Sequence, residues 1–210
     1  MPTSTFFRLP SEKRQRLLDA AWNEFTRVNF SDVSINKIIQ TAQIPRGSFY
    51  QYFENKDDLF LHLIELFCGT CTSFLSDTLT ECGGDIFEMS LRAYDTFISA
   101  YDSAVPYLSA GFEMFRRNHG INLQQFLDRI FGPPASGRAL MPLIDRSAFR
   151  QKDNGFTDNV VFLVFSSLAF AVMAALRDSS KTRSAREALT SQLDIIRCGA
   201  IPAPDKGEKQ

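Results

Sequence analysis

The sequence predicts an all-α protein, a small N-terminal helical domain joined by one long helix to a larger helical domain. Three observations carry this. Apolar residues recur three and four apart through successive windows, which is the spacing of one helix face. Beyond residue 85 no stretch alternates apolar and polar residues as a half-buried strand does, and none repeats. The breaks fall at turn-forming clusters: Glu81-Cys82-Gly83-Gly84-Asp85, Gly132-Pro133-Pro134 and Gln151-Lys152-Asp153-Asn154-Gly155. With 44% hydrophobic and 22% charged residues in 210, the chain has enough apolar side chains to bury a sizeable core.

Taken in order, residues 1–10 read as a loose arm carrying Arg8. A helix follows over about Ser11–Val28, with Ser11 as cap and Leu17, Leu18, Ala21, Trp22, Phe25 and Val28 as its apolar stripe. Asn29–Val33 is a connector whose Phe30 plugs the small core. Ser34 caps the next helix, which turns Ile35, Ile38, Ile39 and Ala42 inward and Asn36, Lys37 and Gln40 outward. Ile44 precedes a proline and so leaves the α region, ending that helix. Pro45 suits the first position of another, where its missing N–H costs nothing. Phe49 and Phe53, four apart, form the inner face of this second helix, leaving Arg46, Ser48, Tyr50, Gln51 and Tyr52 outside. Two short helices about a tight turn make the layout of a helix-turn-helix.

Asn55 caps the long helix, which begins at Lys56 with Asp57 and Asp58 at the positive end of its dipole. Its apolar positions run from Leu59 to Leu79 and the helix continues to about Thr80, so about 25 residues span ~37 Å, with Gly69 a soft point. Further helices are predicted over Ile86 to Ser103, from Pro106 to near Asn118, over Ile121–Phe131 and over Gly137–Arg150. Thr157 caps an apolar helix over 158–178, and a last helix covers 184–198. The tail beyond Gly199 is rich in Pro and Lys and is expected to be disordered.

The run Ile44-Pro-Arg-Gly-Ser-Phe-Tyr-Gln-Tyr-Phe53, followed by Asn55-Lys-Asp-Asp-Leu-Phe60, resembles the signature of the TetR family of one-component bacterial regulators. Leu17 to Phe25 resembles the first helix of that family, so the likeness covers roughly residues 11 to 66. Gln43 departs from the pattern, since the family most often has Gly before the turn. The resemblance implies a DNA-binding domain at 1–55, a ligand-binding and dimerising domain at 56–200 and a tail at 201–210. It places Tyr50, Tyr52 and Lys56 at phosphate contacts, and Gly47 and Ser48 at the tip of the recognition helix. Arg46 falls beside them where a side chain reaches a base, and Ser34 and Asn36 at the start of the preceding helix. A guanidinium can pair bidentately with a guanine edge, while phenols, an ammonium and backbone amides hold phosphates.

By the same resemblance, the helices at 158–178 and 184–198 form a homodimer that reads a palindromic, double-stranded operator. The first of them is apolar on more than one face, which demands cover from all sides. Tyr94, Phe97, Tyr101, Phe112 and Phe115 are candidates to line a cavity for a small apolar or aromatic effector, an expectation that comes from the family. A competing reading has Cys68 and Cys71, i and i+3 on a helix, sensing redox state or metal. A lone C-x-x-C is a weak metal signal, so no metal and no cofactor is expected.

Catalysis is not expected either. His62 and His119 are the two histidines, and no nucleophile elbow, HExxH or phosphate-binding glycine loop accompanies them. The formal net charge is −1, and residues 1–60 hold eight Lys and Arg against seven Asp and Glu. DNA binding therefore rests on where cations sit. The N-terminus lacks a signal-peptide apolar core, and Val160–Leu176 is interrupted by Ser166 and Ser167; a cytoplasmic protein without a membrane span is the expectation.

Overall fold

Phe6, in the stretch expected to be loose, is 1% exposed. A computed structural model describes residues 2–99, 107–117 and 140–202, and in it the N-terminus forms a short helix, α1 (Ser4–Phe7). Then come α2 (Ser11–Arg27), a 3₁₀ turn (Phe30–Asp32), α3 (Ile35–Thr41), α4 (Arg46–Tyr52) and α5 (Lys56–Glu81). These are followed by α6 (Ile86–Ser99), α7 (Leu108–Arg117), a 3₁₀ turn (Met141–Leu143), α8 (Asn154–Arg177), a 3₁₀ turn (Ser179–Lys181) and α9 (Thr182–Ala200). No strand occurs among the described residues.

The chain divides into two compact units, Met1–Cys71 with Ala100–Ile130, and Thr72–Ser99 with Phe131–Gln210. The division falls inside α5.

In the first unit, Leu17, Ala21, Trp22 and Phe25 of α2 are buried with Ile38 and Ile39 of α3, Phe49 of α4, and Leu59, Leu63 and Phe67 of α5. Pro10 occupies the cap position of α2, so Ser11 is its first residue and makes no cap bond, contrary to expectation. Ser34 does cap α3, accepting from the Lys37 N–H at 3.5 Å. The Asn55 carboxamide oxygen accepts from the Asp58 N–H at 2.9 Å and so caps α5. Packed on α2, Tyr107 stacks on Trp22 with ring centroids 5.4 Å apart.

In the second unit, α6, α8 and α9 pack together. Gly83 and Gly84 end α5 with φ of +61° and +88°, and the Gly84 carbonyl accepts from the Asp145 N–H at 3.0 Å. Asp85 then caps α6 through the amides of Phe87 and Glu88. Asp153 caps α8 by accepting from the Phe156 N–H at 2.8 Å, so the helix starts before Thr157, whose hydroxyl donates inward to the Asp153 carbonyl. The short helix expected over Gly137–Arg150 is, in its described part, a 3₁₀ turn and bends. The stretches expected at Ile121–Phe131 and Pro106 lie outside the described residues.

The apolar helix α8 buries Val160, Val161, Val164, Phe165, Leu168 and Val172, yet leaves Phe162, Leu163 and Phe170 exposed. On α9, Ile195 is 71% exposed. Both α5 and α8 are long and apolar enough to cross a membrane by length and composition, and half or nearly half of their apolar windows are buried inside the protein.

Candidate nucleic-acid interface

The first unit builds its outward helix from both ends. At the start, Gln43 adopts φ 54°, the left-handed conformation. Its N–H donates to the Gln40 carbonyl at 3.2 Å and the Ile44 N–H to Ile39 at 3.0 Å. These two bonds make a Schellman end to α3, with Ile44 and Ile39 both buried as its apolar contact. The turn thus keeps the geometry that glycine favours, although a glutamine fills it.

Pro45 then precedes Arg46 in extended conformation. In α4, Phe49 is wholly buried and Tyr52 is 3% exposed, and Phe53, just past its end, is wholly buried. The expectation that Tyr52 faces outward is corrected. Tyr52 lies three residues after Phe49, on the same helical face, and its ring packs at 6.4 Å from that of Phe6. What remains outside is Arg46, Gly47, Gln51 and Tyr50, the last 49% exposed, with Ser48 half-buried. A Cβ at Gly47 would meet no atom within 4 Å. On α3, Asn36 and Lys37 are exposed and Ser34 is half-buried.

Lys56 sits between roles. Its ammonium donates to the carbonyls of Phe30 at 2.8 Å and Ser31 at 3.2 Å, and lies 4.7 Å from the centre of the Phe30 ring. It therefore joins the start of α5 to the 3₁₀ turn before α3. Glu24 performs a similar service and was not singled out in the sequence. Only 6% exposed, its carboxylate accepts from the Arg27 guanidinium at 2.7 Å and from the Ser34 N–H at 3.3 Å. Its signal was a lone acid within an apolar stripe.

The residues expected around an effector fall in different units. Tyr94 and Phe97 belong to the second. Tyr94 is 1% exposed and its hydroxyl donates to the Thr182 carbonyl at 2.7 Å, while Phe97 packs 5.1 Å from Phe74. Phe112 and Phe115 belong to the first and pack on Phe67 at 5.1 and 5.7 Å. Tyr101 lies outside the described residues. Cys68 and Cys71 are both buried, and burial, then Cys68 itself, pushes the Cys71 thiol well above its ordinary pKa, which disfavours the reactive thiolate. No cluster of three or more metal-ligating side chains occurs among the described residues.

The family model of bacterial regulatory proteins, tetR family, matches residues 17–63. The chain is 33% identical over 104 residues to the HTH-type transcriptional regulator YdgC of Bacillus subtilis, a match covering 48% of this chain and 53% of that one. It is 42% identical over 53 residues to the transcriptional regulator AcuR of Cereibacter sphaeroides, covering 25% and 24%. The matched stretches thus span about half of the first relative and a quarter of the second. A solved TetR family transcriptional regulator from Chloroflexus aurantiacus is 26% identical, with a TM-score of 0.52 over 97% of this chain and all of that one. The fatty acid degradation regulator FadR of Bacillus halodurans, at 16% identity, shares the fold with a TM-score of 0.59 over 91% and 97%. Residues 17–63 thus carry the helix-turn-helix of the tetR family of bacterial regulatory proteins, and the described residues share the all-helical fold of solved TetR family regulators.

Proposed function

We propose that the protein is a DNA-binding transcriptional regulator, a repressor that grips a palindromic operator as a homodimer and lets go on binding a small, largely apolar effector. The observation that carries the DNA-binding part is Gly47. A glycine inside a helix costs up to about 1 kcal/mol against alanine, and nothing in the protein occupies the space beside this one. On the exposed first turn of α4, that open space suits the close approach of backbone to a phosphate or base. Around it, Arg46 is exposed to reach a base edge, with Ser48, Tyr50, Ser34 and Asn36 arranged for phosphates and neighbouring edges. Lys56 spends two of its three N–H donors on carbonyls and keeps one for a phosphate. Tyr52, being buried, supports this surface from behind.

The exposed Phe162, Leu163, Phe170 and Ile195 favour a second copy covering α8 and α9, since two copies also match two half-sites one helical turn apart. Other proteins of this fold hold resorcinol (RolR) and stearoyl-CoA (FadR of Bacillus subtilis), which makes an apolar effector the reading to test first. A ligand acts only through unequal affinity for the bound and released conformations. A regulator of this kind needs no enzymatic chemistry.

The test uses duplexes enriched by the native chain from a random library, with binding followed by fluorescence anisotropy at two salt concentrations. Tyr50→Ala should weaken binding about tenfold, and Gly47→Ala should bind more weakly while melting no lower than the native chain. Equal affinity for all three proteins would remove this surface from DNA recognition.

A further inference from the structure

The C-terminal end of α4 lacks the usual helix stops. No glycine follows it, no basic residue sits in its last turn, and Phe53 leaves it in extended conformation. Its last carbonyls need donors from elsewhere. They come from residue 3. The Thr3 N–H donates to the Tyr52 carbonyl at 3.0 Å, and the Thr3 hydroxyl donates to the Gln51 carbonyl at 2.6 Å. Three residues on, Phe6 is 1% exposed, its ring 4.9 Å from Phe53, 6.4 Å from Tyr52 and 5.3 Å from His62 of α5. Seven residues form too short a helix to hold itself, so the direction of α4 is set by its attachments.

We infer that Thr3 and Phe6 are positioning residues for DNA recognition, with the N-terminal segment acting as the missing C-terminal cap of α4. This rests on the DNA-binding reading above. The Schellman turn at Gln43 fixes one end of the helix and Thr3 fixes the other. Arg46 and Tyr50 are thereby carried on a rod held at both ends. Neither Thr3 nor Phe6 needs to touch DNA for this. Loss of the hydroxyl bond leaves a partly exposed carbonyl that water can satisfy, so the fold survives while the helix gains freedom.

Thr3→Val removes the hydroxyl and keeps the shape; Thr3→Ser keeps both donors. Each is compared with the native chain on a duplex that the native chain enriches from a random library, on a scrambled duplex, and by thermal melting. The inference expects Thr3→Val to lose about fivefold on the enriched duplex, with unchanged affinity for the scrambled one, an unchanged melting temperature, and native behaviour in Thr3→Ser. Equal binding of the enriched duplex by Thr3→Val overturns the inference and leaves the DNA-binding reading standing. Parallel loss on both duplexes, or a fall in melting temperature to match, also overturns it, because the segment then merely stabilises the domain. If the native chain enriches no duplex, the DNA-binding reading falls and takes the inference with it.

Discussion

Replacing Gln43 by glycine should stabilise the protein, and the amount can be worked from its backbone. Gln43 holds φ 54° so that its N–H and that of Ile44 can close the end of α3. For a residue with a Cβ that conformation costs roughly 1–2 kcal/mol. Glycine does not bear this cost, but it gains freedom in the unfolded chain worth about 0.4–1 kcal/mol. The difference leaves a net stabilisation of about 0.5–1 kcal/mol, which for a chain of this size raises the melting midpoint by about 2–3 °C. Urea unfolding followed by circular dichroism at 222 nm should show a higher midpoint with an unchanged slope. Gln43→Ala is the control, since alanine bears nearly the same left-handed cost and should stay within about 0.5 kcal/mol of native. A midpoint in Gln43→Gly equal to or below native would refute the reasoning, for it would mean that the exposed Gln43 side chain contributes more than the strain it imposes.

The opposite glycine substitution, Gly84→Ala, should cost about 2–3 kcal/mol by the same urea assay, because the new methyl would lie 2.6 Å from the Asp145 nitrogen and 2.7 Å from the Leu143 carbonyl oxygen at φ +88°; a loss below about 1 kcal/mol would contradict it. Burial of His62 among the rings of Phe6, Phe7 and Phe53 lowers its pKa below the ordinary 6.5, an effect outweighing the raising influence of Glu65 and helped by the chain's amino terminus. The folded state thus binds the proton less well than the unfolded one: stability from this group is complete above about pH 6.5 and drains away as pH falls through the lowered folded value, a slope that melting curves should lose in His62→Leu. Phe170, 61% exposed, would gain about three fifths of the roughly 1.5–3 kcal/mol of a fully buried phenylalanine on each side of a symmetric dimer, so Phe170→Glu should weaken dimerisation by about twentyfold or more in light scattering, and a native chain that is monomeric at micromolar concentration would contradict the dimer.

The helix-turn-helix was legible because local rules fix it. Pro45 marks the break between two helices, although α3 has already closed at Gln43 and α4 opens one residue later at Arg46, and Phe49 with Phe53 names the inner face. Tyr52 was misplaced although the same rule was available, since Phe49, Tyr52 and Phe53 stand at i, i+3 and i+4 and a phenol alone does not declare which side of a helix it takes. The N-terminal helix was not legible in any local sense. Four residues carry no periodicity, and Thr3 and Phe6 find their partners nearly fifty residues away. Lys56 is the same case: its spacing suggests an outward cation, and only the folded chain brings the Phe30 and Ser31 carbonyls beneath it. At α8 the polar turn concealed the stronger cap, because Asp153 satisfies the first free amides before Thr157 is reached.

The outer residues of α4 and the residues that hold α4 form two sets with no member in common. Arg46, Gly47, Tyr50 and Gln51 are exposed, whereas Phe49, Tyr52 and Phe53 fill the interior. Sequence change in the first set is nearly free of cost to the fold; change in the second is not. If these four positions read DNA as proposed above, a lineage carrying this scaffold can drift from one DNA sequence to another by single substitutions, each passing through a folded intermediate, and a library varied at those four positions should consist mostly of folded proteins.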